Sequence, residues 1–284
     1  MSHDRPHLVR TPEEVRTVLD AHRRAGRTIG FVPTMGALHE GHLSLVRAAA
    51  AADDVVVVSI FVNPLQFGEG EDLDAYPRTL DADLDLLAPE GVALVFSPAP
   101  STFTPETRRT TVHVEGLTGG LEASTRPTHF DGVTTIVTKL FNVVGADHAY
   151  FGEKDFQQQA ILRRMALDLD MRTEVVTCPI VREADGLALS SRNVYLSAEQ
   201  RRDALALSQA LRELADGWEG NVDSGRSTLL GRLTAAQGIQ LDYAEIIDPE
   251  TLEPLEGVRS GDCQAVVAAW VGTTRLIDTM RLRV

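Results

Sequence analysis

The chain has almost no lysine. Of its 27 lysine and arginine residues only Lys139 and Lys154 are lysine. Arginine is a planar fork, whereas lysine is a compact charge on a flexible stem, suited to meeting a phosphate as a point charge. Lys154, in GEKDF at an expected strand-to-helix turn, is the stronger candidate for that role. Positive charge is scarce overall: the formal net charge of −14 argues against general affinity for nucleic acid, which needs a basic footprint. A polyanionic ligand would have to be held by a local basic site within an acidic body. Cysteine is scarce too. Cys178 and Cys263 cannot build a disulfide framework and stand in no metal-ligand spacing, so they read as small buried hydrophobes. No apolar signal core follows the first methionine, and no run reaches the length of a membrane span. A cytoplasmic protein with no membrane partner is expected.

What is present is an ordinary globular composition, with 43% hydrophobic and 24% charged residues over 284 positions. Thr11, Pro12 and Glu14 read as N-cap, first-turn proline and capping-box glutamate of a first helix that Gly26 stops. Strand signals at 28–34, 55–62, 92–97, 146–151 and 174–181 then alternate with helix signals near 40–52, 78–88, 131–144 and 154–169. Near-continuous apolar strands in that alternation predict a Rossmann-like, doubly wound parallel α/β sheet. Residues 116–130 lack periodicity and read as a mobile loop, and 182–197 as a polar linker. Ser197 and Gln200 form a second capping box. The stripe Ala204, Leu207, Leu211 and Leu214 follows, then a helix near 223–237 and strands at 242–247, 264–271 and 276–283. Domains over 1–182 and 183–284 are expected, the second a smaller α+β unit.

The chemistry gathers after strand ends, where open α/β sheets bind ligands. TIGFVPTMGALHEGHLSL reads as a strand, a glycine turn and a helix opening with His39 and His42. A helix N-terminus offers N–H groups and partial positive charge to an anion, and three-residue spacing places both imidazoles on one helical face. Alone, His-x-Gly-His also fits a solvated turn; the flanking strand and apolar helix favour a phosphate site. The next strand delivers Asn63 and Gln66, neutral amides able to orient hydroxyls or a carboxylate. Later strands deliver Gly152-Glu153-Lys154-Asp155 and Ser190-Ser191-Arg192-Asn193. Asp81 and Asp83 read as a charged face of an exposed helix rather than as metal ligands.

Taken together, FVPTMGALHEGHLSL, FVNPLQF, YPRT, TRPTHFDGV, KLFN, YFGEKDFQQ and VREADGLALSSRN resemble, in order, the pantoate–β-alanine ligase family. That family belongs to the nucleotidyltransferases that share the His-x-Gly-His turn with class I aminoacyl-tRNA synthetases. The resemblance implies condensation of pantoate with β-alanine at the expense of ATP, through a pantoyl adenylate. It implies that His42, Lys154, His39 and Arg192 act in catalysis. Met35, Gly36, His39, His42, Gly152, Lys154, Asp155, Val181, Ser190, Ser191 and Arg192 would bind ATP. Gln66, Gln158, Asn63, Arg126 and His129 would lie at the substrates. Mg²⁺ bridging phosphate oxygens and a homodimer are implied in the same way. Two positions depart from the family pattern: Thr128 replaces a glycine and Leu189 a methionine. A nucleotidyltransferase with another acceptor and a non-catalytic ATP-binding module are the competing readings.

Overall fold

The computed structural model describes residues 5–68 and 70–284, so residues 1–4 of the expected first domain lie outside it. The apolar runs become a six-stranded parallel sheet. Its strands are β1 (His7–Val9), β2 (Ile29–Thr34), β3 (Val55–Ile60), β4 (Leu94–Phe96), β5 (His148–Gly152) and β6 (Glu174–Cys178), in the spatial order β1-β4-β3-β2-β5-β6. All six side chains of β3 are buried, as a strand covered on both faces requires.

Alternation along the strands divides the interior in two. Ile29, Phe31, Val55 and Val57 enter one core with Val15 and Leu19 of helix α1 (Pro12–Arg24). Val32, Val56, Val58 and Ile60 enter the other with Leu43 and Val46 of α2 (Glu40–Ala52) and Leu84 of α3 (Leu80–Leu87). The remaining helices of this region are the short α4 (Pro100–Phe103) and α5 (Glu122–Thr125), then α6 (His129–Val144) and α7 (Phe156–Asp168). Phe130, Val133, Ile136, Val137 and Leu140 of α6 join the first core. Helices on both faces of a parallel sheet make the expected doubly wound fold.

The strand order reverses between β2 and β5. These two strands pair over only Gly30–His148 and Phe31–Ala149, although β2 runs to Thr34 and β5 to Gly152. The crevice outside the carboxyl ends at such a switch point is where this architecture receives ligands.

A second unit holds the antiparallel strands β7 (Ile239–Ile247), β8 (Cys263–Val271) and β9 (Thr274–Leu282), in that order, with helices α8 (Ala198–Asp216) and α9 (Val222–Ala235). The stripe Ala204, Leu207, Leu211 and Leu214 meets Cys263, Ala265, Val267 and Ala269 of β8 in one core. Chain contacts assign Glu153–Ala160 together with Pro179–Val284 to this unit, and residues through Gly152 with Ile161–Cys178 to the first. The sequence expectation places a single boundary after residue 182.

Three stretches differ from the sequence reading. β1 is too short for periodicity to register and forms by parallel pairing with β4. Residues 116–130 are not wholly irregular: they contain α5, place Ala123 in the core, and pass into α6 two residues before the helix start read from the sequence. The stretch read as a linker is folded, with an antiparallel bridge from Arg182 to Ala188 and a 3₁₀ turn over Ser191–Tyr195. Arg182 also makes a two-pronged ion pair with buried Asp278 on β9, at 2.6 and 2.9 Å.

Candidate active site

The loop leaving β2 ends at His39, and His42 lies in the first turn of α2. His39 is the N-cap of α2, with extended backbone. Its Nδ1 accepts the Gly41 N–H at 3.1 Å, and His42 Nδ1 accepts the His39 N–H at 3.3 Å. This is a capping box built from imidazoles, with ring centroids 4.1 Å apart. An Nδ1 that accepts leaves the neutral ring's proton on Nε2, so each histidine presents an Nε2–H donor. The His39 carbonyl meanwhile accepts the N–H groups of His42 and Leu43, at 2.8 and 3.1 Å. The N–H groups of His39, Gly41, His42 and Leu43 are thus engaged by the cap itself.

A buried acid braces the same turn from below. Asp83, on α3 and 1% exposed, accepts the N–H groups of Ala37 at 3.1 Å and Leu38 at 2.8 Å, and the Thr79 hydroxyl at 3.3 Å. Burial pushes its carboxyl above the ordinary range, against the lowering effect of the Leu38 and Ala37 N–H groups. Gly36 and Ala37 both have positive φ, +85° and +50°, and a Cβ on Gly36 would come within 3.1 Å of Asp83 Oδ2. Successive N–H groups in such a turn form an anion-binding nest, and here the anion is the chain's own carboxylate. The expectation that Asp83 belongs to an exposed charged face is therefore corrected. Asp81, 91% exposed at its side chain and paired with Arg5, fits that description.

The loop leaving β3 carries the amides. Asn63, 3% exposed, accepts the Leu65 N–H at 3.0 Å and donates to Gln66 Oε1 at 3.0 Å and the Gly132 carbonyl at 3.1 Å. Gln66 Nε2 lies 3.0 Å from Met35 Sδ, which joins this turn to the histidine turn. Arg126 and His129 reach the Gln66 main chain: Arg126 Nη2 donates to its carbonyl at 3.1 Å and His129 Nδ1 at 2.9 Å. His129 Nε2 then faces Arg126 Nη1 at 3.4 Å as an acceptor, so the ring is neutral. Burial and the Arg126 charge push its pKa down to about 4. Glu71 grips Arg126 in a two-pronged pair at 2.6 and 2.7 Å. Burial raises the Glu71 carboxyl, but Arg126 more than offsets this and leaves it below the ordinary range. Gly132 is required here, because a Cβ would stand 2.1 Å from the Leu65 carbonyl oxygen. Thr128 precedes α6 with φ −101°, a conformation open to any residue, so its departure from glycine imposes no backbone strain.

The other candidates fall in the second unit, Gly152 excepted, which ends β5. Lys154 Nζ lies 3.3 Å from Asp155 Oδ2, with the lysine side chain 19% exposed. Gln158 is half-buried between the buried Gln157 and Gln159. The Val181 carbonyl accepts the Leu189 N–H at 3.0 Å. Ser190 caps the 3₁₀ turn, its hydroxyl accepting the Arg192 N–H at 3.3 Å. Asn193 fastens that turn to the Ala188 carbonyl at 3.1 Å and to Glu183 at 3.3 Å. The second lysine, Lys139, has a structural position: it bonds the Phe103 carbonyl and sits 4.5 Å over that ring. Sequence reasoning missed Asp83 and Glu71 as supports. Asp83 had a signal, since it shares a helical stripe with Leu80, Leu84 and Leu87.

A parallel sheet with a switch-point crevice, a histidine-capped helix and neutral amides at the next strand end together define a nucleotide-dependent enzyme of the α/β class. A profile of the pantoate–β-alanine ligase family matches residues 7–281. The chain belongs to that family. It is 57% identical to the pantothenate synthetase of Acidobacterium capsulatum over 90% of this chain and 86% of that one. The pantothenate synthetase of Koribacter versatilis is 51% identical, over 97% and 96%. Among solved structures, that of the Thermus thermophilus pantothenate synthetase is similar with a TM-score of 0.92 and 46% identity, covering 98% of this chain and 100% of that one. The Francisella tularensis ligase, solved in complex with β-γ ATP and β-alanine, has a TM-score of 0.80 and 30% identity, covering 97% of each chain.

Proposed function

We propose that this protein joins pantoate to β-alanine at the expense of ATP. A pantoate carboxylate oxygen attacks the α-phosphorus and the bond to pyrophosphate breaks, giving pantoyl adenylate. The β-alanine amine then attacks the acyl carbon, an amide bond forms, and AMP leaves with the bonding electron pair. Family membership supports this reading, as does the naming of ATP and β-alanine in the Francisella complex. The observation that carries it is the pair of imidazoles at the N-terminus of α2, beside the carboxyl end of β2, with ring centroids 4.1 Å apart and Nδ1 atoms that both accept main-chain N–H groups.

Adenylyl transfer asks a protein for positioning and charge stabilisation and not for a nucleophile. His39, His42, Lys154 and Arg192 supply that stabilisation in the proposal. Met35, Gly36, Gly152, Asp155, Val181, Ser190 and Ser191 complete ATP binding. Gln66, Gln158 and Asn63 recognise pantoate, and Arg126 and His129 serve the same subsite by holding Gln66. Among the described residues no group of three or more His, Cys, Asp or Glu is arranged to hold a metal. Mg²⁺ would arrive on the phosphates of ATP, where it would neutralise charge while keeping most of its waters. A homodimer acting in the cytoplasm completes the proposal. Among the described residues no helix is long and apolar enough to cross a membrane.

The test is exchange of labelled pyrophosphate into ATP by the purified protein. Exchange that requires pantoate, with AMP released only when β-alanine is also present, is the expected result. Exchange with another acceptor, or ATP binding without either reaction, would overturn the proposal. His42→Ala and Lys154→Ala should each lower exchange about a hundredfold or more while the protein stays folded. Near-normal exchange in either variant removes that residue from catalysis.

A further inference from the structure

We propose that Asp83 is the positioning residue of the histidine turn: its buried carboxylate fixes the main chain from Gly36 to Leu38 and so aims His39 and His42. The inference rests on the reading of those histidines as the groups that meet ATP.

Its geometry begins with two consecutive residues of positive φ, Gly36 and Ala37. For alanine that conformation costs on the order of 1 kcal/mol and persists only where surroundings over-determine it. Asp83 supplies the determination. Its two oxygens take the N–H groups of Ala37 and Leu38 separately, Oδ2 at 3.1 Å and Oδ1 at 2.8 Å, so both position and tilt of the turn are fixed. Leu38 directly precedes His39, whose own N–H is held by His42. One chain of hydrogen bonds therefore runs from the acid through the turn into the imidazole cap. The acid is itself anchored. Asp83 donates its N–H to the Thr79 carbonyl at 2.9 Å, and the Thr79 hydroxyl turns to the Asp83 carboxylate and makes no cap for α3. The donors facing the carboxylate are N–H and O–H groups, which is the arrangement of a brace and not of a cation ligand. Gly36 permits the approach, since a Cβ there would crowd Asp83 Oδ2 and Ile60 at 3.1 Å.

The test separates the two half-reactions. Asp83→Asn keeps the shape but turns an amide N–H₂ toward one of the N–H donors. Pantoate-dependent pyrophosphate exchange should fall about 10- to 100-fold, because a misplaced donor is costly in the transition state. Transfer from supplied pantoyl adenylate to β-alanine should change less than about threefold, since that step makes no use of the ATP phosphates. A role in folding alone would lower both half-reactions in the same proportion and would overturn the proposal. In a variant that already carries both His39→Ala and His42→Ala, adding Asp83→Asn should lower exchange no further; losses that multiply would overturn it as well. If Asp83→Asn fails to fold, Thr79→Val removes one donor to the carboxylate and should show the same split at about two- to fivefold; no split there rejects the proposal. Unchanged exchange in His42→Ala would sink the reading of the histidines. Loss in His42→Ala with normal exchange in Asp83→Asn would sink this inference alone.

Discussion

Two adjacent turns of the first unit are braced in opposite ways. The histidine turn after β2 offers main-chain N–H groups, and an acid, Asp83, receives them. The amide turn after β3 offers a main-chain carbonyl, and a cation and an imidazole N–H, Arg126 and His129, donate to it. In each case the brace has the polarity that the main-chain groups of the turn need, as buried polar groups require. Beside these braces the two turns carry two imidazoles, a glutamine and an asparagine. In these two turns charge holds the main-chain frame.

The comparison is broken most severely at Gly132. A Cβ there would stand 2.1 Å from the Leu65 carbonyl oxygen and 2.7 Å from the Gln66 nitrogen. Gly132→Ala should displace the amide turn and lower kcat/KM for pantoate about a hundredfold. The KM for ATP should change far less, because the histidine turn keeps its own brace. Equal damage to both constants in steady-state kinetics would show that the turns are not separately held.

A pH experiment sharpens the contrast next. His129 is neutral with a folded pKa of about 4 against an ordinary 6.5. The unfolded chain takes the proton first, so stability falls as pH drops from about 6.5 towards 4, by up to about 3 kcal/mol. Denaturant unfolding of the wild type and His129→Gln across that window should show the extra loss only in the wild type. Parallel curves would remove His129 from the account.

Glu71→Gln probes the same brace more gently. Without the carboxylate charge Arg126 is held less tightly, and the KM for pantoate should rise roughly tenfold, in keeping with a charge-assisted pair of about 1.5–3 kcal/mol. An unchanged KM would mean that His129 alone suffices. The smallest effect is at Thr128. Its φ of −101° needs no glycine, so Thr128→Gly should destabilise by only about 0.5–1 kcal/mol in thermal unfolding, with kinetics unchanged.

Much of this frame was legible in the sequence because it rests on local signals. VVVVSIFV could only be a strand buried on both faces, and the Thr11–Glu14 and Ser197–Gln200 capping boxes form as read. The candidate side chains were legible as types at strand ends. Their partners were not, because each brace joins residues far apart in the chain: Asp83 lies 45 positions from Leu38, and Glu71 lies 55 from Arg126. The imidazole capping box escaped for a different reason. Histidine is not an expected cap, so the three-residue spacing brought the two rings together without showing that each accepts a main-chain N–H of the turn. β1 escaped because three residues carry no period.

The carboxylate of Asp83 in its nest has a last consequence, which concerns competition. A turn of open N–H groups would attract any small anion in solution, and pyrophosphate, inorganic phosphate and sulfate would contend there with the nucleotide. In this chain the main-chain nest is permanently occupied by a tethered acid, whose local concentration no free anion can match. An inorganic anion therefore meets, at the Ala37 and Leu38 N–H groups, an acid already in place.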